Sequence, residues 1–143
     1  MRERRVTVVR PYGTTIRRRV FGLLQRLGCS IAEEDIIPPH TSDDEAMKSI
    51  LAGKNRVLLI PFHGHRDGEG QRVDGLVLVR RLRQQHRGFP WRVVMPVSAF
   101  GKAALTLALE NEADPSFGGK VLYLEMDELE DPRTLTKLRA HLR

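Results

Sequence analysis

One cysteine, Cys29, is all the thiol this chain has, so no internal disulfide or thiolate metal cluster can form. A reducing cytoplasm is its simplest compartment. The setting Leu27-Gly28-Cys29-Ser30-Ile31 suits a small residue entering a strand better than a reactive thiol. Aromatic residues are only 6% of the sequence, which leaves Leu, Val and Ile to build most of the core. Long apolar runs are missing as well: Met1-Arg2-Glu3-Arg4-Arg5 leads straight into the strand-like Val6-Thr7-Val8-Val9. That argues against a signal peptide and a membrane span, which needs about 20 apolar residues. There is no internal repeat, extended linker or low-complexity tail, and Gly68 and Gly70 do not form a dinucleotide or phosphate-loop fingerprint. The expectation is one domain over residues 1–143.

What is present in excess is arginine. Lys and Arg number 24 against 18 Asp and Glu, a net charge of +6. The excess is concentrated at Arg17-Arg18-Arg19, Arg80-Arg81, Arg83, Arg87 and Arg92. Such a balance favours an acidic partner by long-range attraction. Equally, arginines cover the solvent faces of helices with their stems over apolar neighbours. Interleaved aromatics and a DNA-binding motif are both lacking, so nucleic acid ranks below a protein as partner.

Strand-like and helix-like patterns alternate along the chain. After the first strand, Thr14 caps a helix whose apolar positions Ile16, Val20, Phe21, Leu24 and Leu27 recur at helical spacing until Gly28. A short second strand falls within residues 31–37 and is closed by Pro38-Pro39. Ser42-Asp43-Asp44-Glu45 reads as a capping box for a helix that ends at Gly53. The run Arg56-Val57-Leu58-Leu59-Ile60 is continuously apolar after its arginine, the pattern of a central strand covered on both faces. A third helix begins around Val73-Asp74-Gly75 and stops at Gly88-Phe89-Pro90. A strand over 91–97 follows, and Ser98 is placed to cap a helix whose compact face is Ala103, Ala104, Leu107 and Ala108. A fifth strand spans 120–124, and Asp131-Pro132 starts a last helix with Leu135, Leu138 and Leu142 inward. The fold class is therefore α/β: a single doubly wound domain on a five-stranded parallel sheet.

In order, length and local phrases the chain resembles the receiver domain of bacterial response regulators, a flavodoxin-like fold. The phrases are Val6-Thr7-Val8-Val9, Arg56-Val57-Leu58-Leu59-Ile60-Pro61, Asp74-Gly75-Leu76-Val77-Leu78-Val79-Arg80-Arg81-Leu82-Arg83, Val93-Val94-Met95-Pro96-Val97-Ser98-Ala99-Phe100, and the helix after Leu122-Tyr123-Leu124-Glu125. The resemblance implies an acidic pair after strand one, a phosphoacceptor aspartate ending strand three, a hydroxyl residue after strand four and a lysine after strand five. Here those places hold Arg10-Pro11, Pro61, Ser98 and Glu125. Proline is no nucleophile, and magnesium prefers hard oxygen ligands that this set does not supply. The chain thus resembles a degenerate receiver, a pseudo-receiver that is not phosphorylated.

The loop Pro61-Phe62-His63-Gly64-His65-Arg66-Asp67-Gly68-Glu69-Gly70 holds the alternative chemistry. His63 and His65, with Asp67, Glu69 or Asp74, offer imidazole and carboxylate groups for a metal or for acid–base work. Alternating strand directions would splay the two imidazoles unless Gly64 bends the chain. The leading expectation assigns no catalytic residue, metal or cofactor. It gives the chain a protein partner, with a homodimer one form of it. By resemblance the partner surface lies over residues 104–108 and 123–139.

Overall fold

The computed structural model describes residues 4–11, 13–66 and 69–143. Eight strands are found among them: β1 (Arg4–Val9), β2 (Cys29–Ser30), β3 (Ile36–Ile37), β4 (Val57–Leu59), β5 (His65–Arg66), β6 (Arg72–Val73), β7 (Arg92–Val97) and β8 (Val121–Glu125). The helices are α1 (Phe21–Arg26), entered through a wider turn over Ile16–Val20, α2 (Asp43–Ala52), α3 (Gly75–Gln85), α4 (Lys102–Ala108) and α5 (Pro132–His141). No helix among the described residues is long and apolar enough to cross a membrane.

The main sheet runs β2-β1-β4-β7-β8, with β3 also paired to β1, and all its pairings are parallel. Side chains alternate cleanly between its two faces. Val6, Val8, Val57, Leu59, Val94 and Leu124 meet α1 and α5 residues such as Val20, Leu24 and Leu138 in one core. Val9, Leu58, Ile60, Val93 and Met95 meet Ile50, Leu76 and Leu82 from α2 and α3 in the other. Burial on both faces is why the strand-three segment reads as an unbroken apolar run. The first crossover leads from β1 to the β2/β3 edge, and the chain then returns past β1 to β4. That reversal opens a crevice at the carboxyl ends of β1 and β4, the place where doubly wound sheets bind ligands.

Three local expectations change. The second strand predicted within residues 31–37 is reduced to β3, with a helical turn over Glu33–Asp35 before it and a further short strand, β2, ahead of the predicted range. Glu33 and Glu34 are exposed there and Glu34 and Asp35 hold Arg5, so a continuous buried strand was not available. The loop after β4 folds into an antiparallel ribbon, β5 against β6, so Val73 is a strand residue and α3 begins two residues later. Finally, Ser98 makes no side-chain cap bond. Its carbonyl accepts from Gly101 N at 2.9 Å in a tight turn over Ala99–Gly101. That turn rotates α4 so that Ala103 and Ala104 are exposed and Leu107 is 69% exposed, while Leu105, Ala108 and Leu109 pack inward. Of the other predicted caps, Ser42 accepts from Glu45 N and Asp131 from Arg133 N, and Asp74 accepts from Leu76 N at the start of α3. Thr14 does not cap, since it is already helical and the segment Ile16–Val20 is entered from Thr15 without a side-chain cap bond.

Two glycines on helices should respond oppositely to alanine. At Gly75 a Cβ would lie 2.5 Å from the Pro61 carbonyl oxygen, 3.1 Å from Ile60 and 3.2 Å from Met95. Gly75→Ala should therefore cost about 1–3 kcal/mol in urea unfolding. At Gly22 nothing stands within 4 Å, so Gly22→Ala should gain about 0.5–1 kcal/mol from helix propensity. Equal effects at the two positions would contradict this packing of α3 on the β4 exit.

Candidate functional site

The crevice between β1 and β4 contains a cavity of about 270 Å³ lined by Gly13, Thr15, Ile16, Pro61, His63, Pro96, Ser98 and Met126. Pro61, which the sequence places at the strand-three exit, is buried in its wall. Ser98 contributes its hydroxyl group, which makes this the one polar side chain besides Thr15 and His63 in the lining. No carboxylate and no lysine or arginine is among these lining residues. Glu125 ends β8 and looks elsewhere, with its carboxylate 3.8 Å from Lys102 Nζ. Lys102 lies nearer Asp127, at 3.1 Å, and that hydrogen bond raises the lysine above its ordinary range. A hydrogen bond shared with Glu125 pushes the Glu128 carboxyl up.

Arg10 follows β1 with φ of +48°, a conformation that costs an L-residue about 1–2 kcal/mol. Its backbone N donates to Ile37 O at 2.8 Å, prolonging the β1–β3 pairing by one step. The side chain has no solvent exposure. Nη1 donates to Thr41 O at 2.8 Å, and Nη2 donates to the Asp43 carboxylate and to His65 Nδ1. Asp43, the first residue of α2, is also fully buried. One guanidinium thereby ties the end of β1 to the β3–α2 loop, the start of α2 and the ribbon. Burial raises the Asp43 carboxyl against the opposing pull of Arg10. Pro11 beside it is buried too.

His65 is 1% exposed. Its Nε2 donates to the Pro61 carbonyl, so Nδ1 is left to accept from Arg10, and both ring nitrogens are engaged. Burial first, and the Arg10 charge second, lower its pKa from 6.5 to about 4. At neutral pH it is an uncharged strut that closes the loop back onto its own strand. His63 takes a different setting, edge-on to Phe62 with ring centroids 4.8 Å apart. It is packed so closely over Gly101 that a Cβ there would overlap its ring. A broader cleft of about 870 Å³ has His63, His65, Arg72 and Asp74 in its wall. Asp74 is committed to capping α3, accepting from Leu76 N at 2.8 Å. Asp67 lies outside the described residues, and Glu69 is exposed. Among the described residues no three His, Cys, Asp or Glu side chains converge as metal ligands. Cys29 sits buried in β2, where desolvation raises its thiol pKa.

Asp43 is the residue that sequence reasoning missed. It was legible as a helix-start acid, but its bond to a residue 33 positions away leaves no local signal. Of the residues singled out from sequence, Pro61, Ser98 and His63 share the small cavity, Arg10 and His65 share the buried network, and Glu125 joins neither.

Two outcomes follow for the network. Asp43→Asn should cost about 3–5 kcal/mol in denaturant unfolding, because it strands a buried guanidinium. The double variant Arg10→Met/Asp43→Leu should recover most of that loss. For pH, the lowered His65 value means that the unfolded chain binds more protons between pH 6.5 and 4. The stability from neutral His65 is complete above about pH 6.5 and drains away toward pH 4, amounting to about 3 kcal/mol. Asp43, raised, gives the opposite slope at the acid end, so the comparison is made against His65→Gln. The variant should lack the loss between pH 6.5 and 4, and a parallel pH profile would contradict the assignment.

No family model matches the chain, and no curated protein sequence does. Solved structures do match. A chain from Chloroflexus aurantiacus J-10-fl described as a response regulator superposes with a TM-score of 0.62 at 16% identity, covering 99% of this chain and 98% of that one. The receiver domain of NtrX from Brucella abortus gives 0.53 at 22% identity, with 92% and 98% covered. Against the longer NtrX chain the score is 0.52 at 22% identity, and the match covers 96% of this chain but 28% of NtrX. This chain therefore spans just over a quarter of that regulator. With the sheet order and the crevice already established, these likenesses give the chain the receiver fold, a single α/β domain with a parallel sheet flanked by helices.

Proposed function

We propose that the chain is a non-phosphorylatable, receiver-like protein-interaction domain acting in signalling or regulation. The observation that carries this reading is the make-up of the crevice. Where phosphoryl transfer to a receiver needs carboxylates around a metal ion, this crevice has Pro61, Pro96, Ile16 and Met126 with the Thr15 and Ser98 hydroxyls and the His63 imidazole, and no carboxylate among its lining residues. The residue after β1 is an arginine already neutralised by Asp43. Phosphorylation would require a carboxylate nucleophile and hard metal ligands together. The nearest buried carboxylate is engaged as the counter-charge of that arginine. Losing it would leave a buried cation without compensation.

The same geometry speaks against His65 and Asp74 as an acid–base pair. His65 has no free ring nitrogen and titrates far below neutrality, and Asp74 is bonded to a helix start. On this reading nothing is turned over at the crevice, and the network holds one conformation in place of a phosphorylation-dependent pair.

The partner surface lies along the Ala99–Gly101 turn, α4 and the end of β8, which overlaps only in part the residues 104–108 and 123–139 that the receiver resemblance implies. Phe100 is 98% exposed and Leu107 69% exposed, both on the flank of α4. Large apolar groups at such exposure are candidates for burial against a partner, a second copy of the chain included.

Incubation with acetyl phosphate and magnesium, followed by intact-mass measurement, should give no phosphoryl adduct. An adduct on any aspartate would overturn the proposal. Phe100→Ser/Leu107→Ser should shift unfolding stability by no more than about 0.5 kcal/mol, since neither side chain is buried. It should also weaken self-association or partner binding measured by sedimentation. Unchanged association would remove this surface from the proposal.

A further inference from the structure

The arginines divide into two populations that the sequence did not separate. Those of α3 are spent within the molecule. Arg80 reaches Glu112 at 2.9 Å and donates to Ala108 O, Arg81 pairs with Asp44, and Arg83 lies over the Phe117 ring at 4.6 Å. The arginines of the first helical segment make no such ion pair, although Arg17 lies over the Phe21 ring. Arg17, Arg18, Arg19 and Arg26 are all exposed, and among the described residues none has a carboxylate within 4 Å. On α5 the same holds for Lys137, Arg139 and Arg143, while Arg133 is held by Asp131 at 3.0 Å.

These two segments occupy one side of the sheet. Their apolar stripes, Ile16, Val20 and Leu24 on one and Leu138 and Leu142 on the other, meet in a common core. Their outer faces therefore look the same way. Residues 13–28 and 131–143 hold eight lysines and arginines and one carboxylate, Asp131. That imbalance exceeds the net +6 of the whole chain, so the remainder of the molecule is close to neutral. The positive field belongs to this face.

We infer that the α1/α5 face binds the phosphate backbone of double-stranded nucleic acid. Seven of its eight cations are arginines, whose planar forks match phosphate oxygens in pairs. The strongly exposed large apolar side chains among the described residues are Leu51, Phe100 and Leu107, and none is on this face. A membrane-surface helix would need apolar groups to insert, and a protein interface would need aromatic or apolar anchors. Single strands are bound by aromatic stacking, whereas Phe21 is half-buried under the Arg17 guanidinium, 5.8 Å from the ring centroid. What remains is a duplex read through its charge, without base contacts. The acidic stretch containing Glu125, Asp127, Glu128 and Asp131 borders the start of α5. It directs the phosphates toward the first helical segment and the last turns of α5.

The test is fluorescence anisotropy of the full chain with labelled 30-base-pair DNA and RNA duplexes over a range of NaCl concentrations. Binding should weaken steeply with salt, by about 0.9 in log–log slope for each phosphate contacted. Arg17→Glu/Arg18→Glu/Arg19→Glu should lose at least about tenfold in affinity at low salt and reduce the slope by about 2–3. A second variant, Lys137→Glu/Arg139→Glu, should weaken binding in the same direction and keeps the question open to test if the triple variant is unfolded by circular dichroism. Lys48→Glu/Lys54→Glu/Arg87→Glu, with the same charge change on surfaces outside this face, should stay within about threefold of the parent. Poly-glutamate and phosphatidylserine vesicles should bind more weakly than duplex. No duplex binding at low salt, equal losses in the control variant, or tighter binding to poly-glutamate or vesicles would each overturn the inference.

Discussion

A guanidinium without solvent contact stands at the carboxyl edge of the sheet, and the surrounding architecture is arranged to make that tolerable. Moving Arg10 and Asp43 out of water costs several kcal/mol for each ion, which their attraction offsets only with close geometry and further hydrogen bonds. The Thr41 carbonyl and His65 supply those bonds. His65 can accept only while neutral, and its proton is fixed on the other nitrogen by the Pro61 carbonyl. Each member thus sets the state of the next, which makes the network cooperative. Four separate pieces of chain are held in register by it: the β1 exit, the β3–α2 loop, the α2 start and the β5–β6 ribbon.

That constraint shapes the site. At this edge the charged residue that follows β1 is an arginine, buried and paired with the buried Asp43. The crevice above it is small and largely apolar. His63 and Ser98 remain at its wall, one packed over Gly101 and the other exposing a hydroxyl that makes no cap bond.

Those faces differ in kind. The α4 flank presents isolated apolar groups, Phe100 and Leu107, beside an acidic corner at Glu125 and Asp127 that Lys102 partly neutralises. Among the described residues, the α1/α5 side presents arginines with no carboxylate within 4 Å, Arg133 excepted, and no large strongly exposed apolar group. One surface is suited to desolvation against a protein and the other to counterion release along a polyanion. Their helices pack on opposite sides of the sheet.

The local physics of the sequence determined most of the framework. Continuous apolar runs set the central strands, helical spacing set the apolar stripes of α1, α3 and α5, and Ser42, Asp74 and Asp131 marked helix starts, because each of these signals acts within a few residues. The absence of a carboxylate at Pro61 and the arginine after β1 were also legible as residues at strand ends. Tertiary structure alone decided what those residues do. The pairing of Arg10 with Asp43 spans 33 positions, the tautomer of His65 depends on a carbonyl and a guanidinium from different elements, and the outward turn of Leu107 follows from a tight turn that no local pattern specified. The two arginine sets look alike in sequence. Only packing shows that Glu112 and Asp44 neutralise one set, whereas among the described residues no carboxylate comes within 4 Å of Arg17, Arg18 or Arg19, because charge pairing is settled by which surfaces the fold brings together.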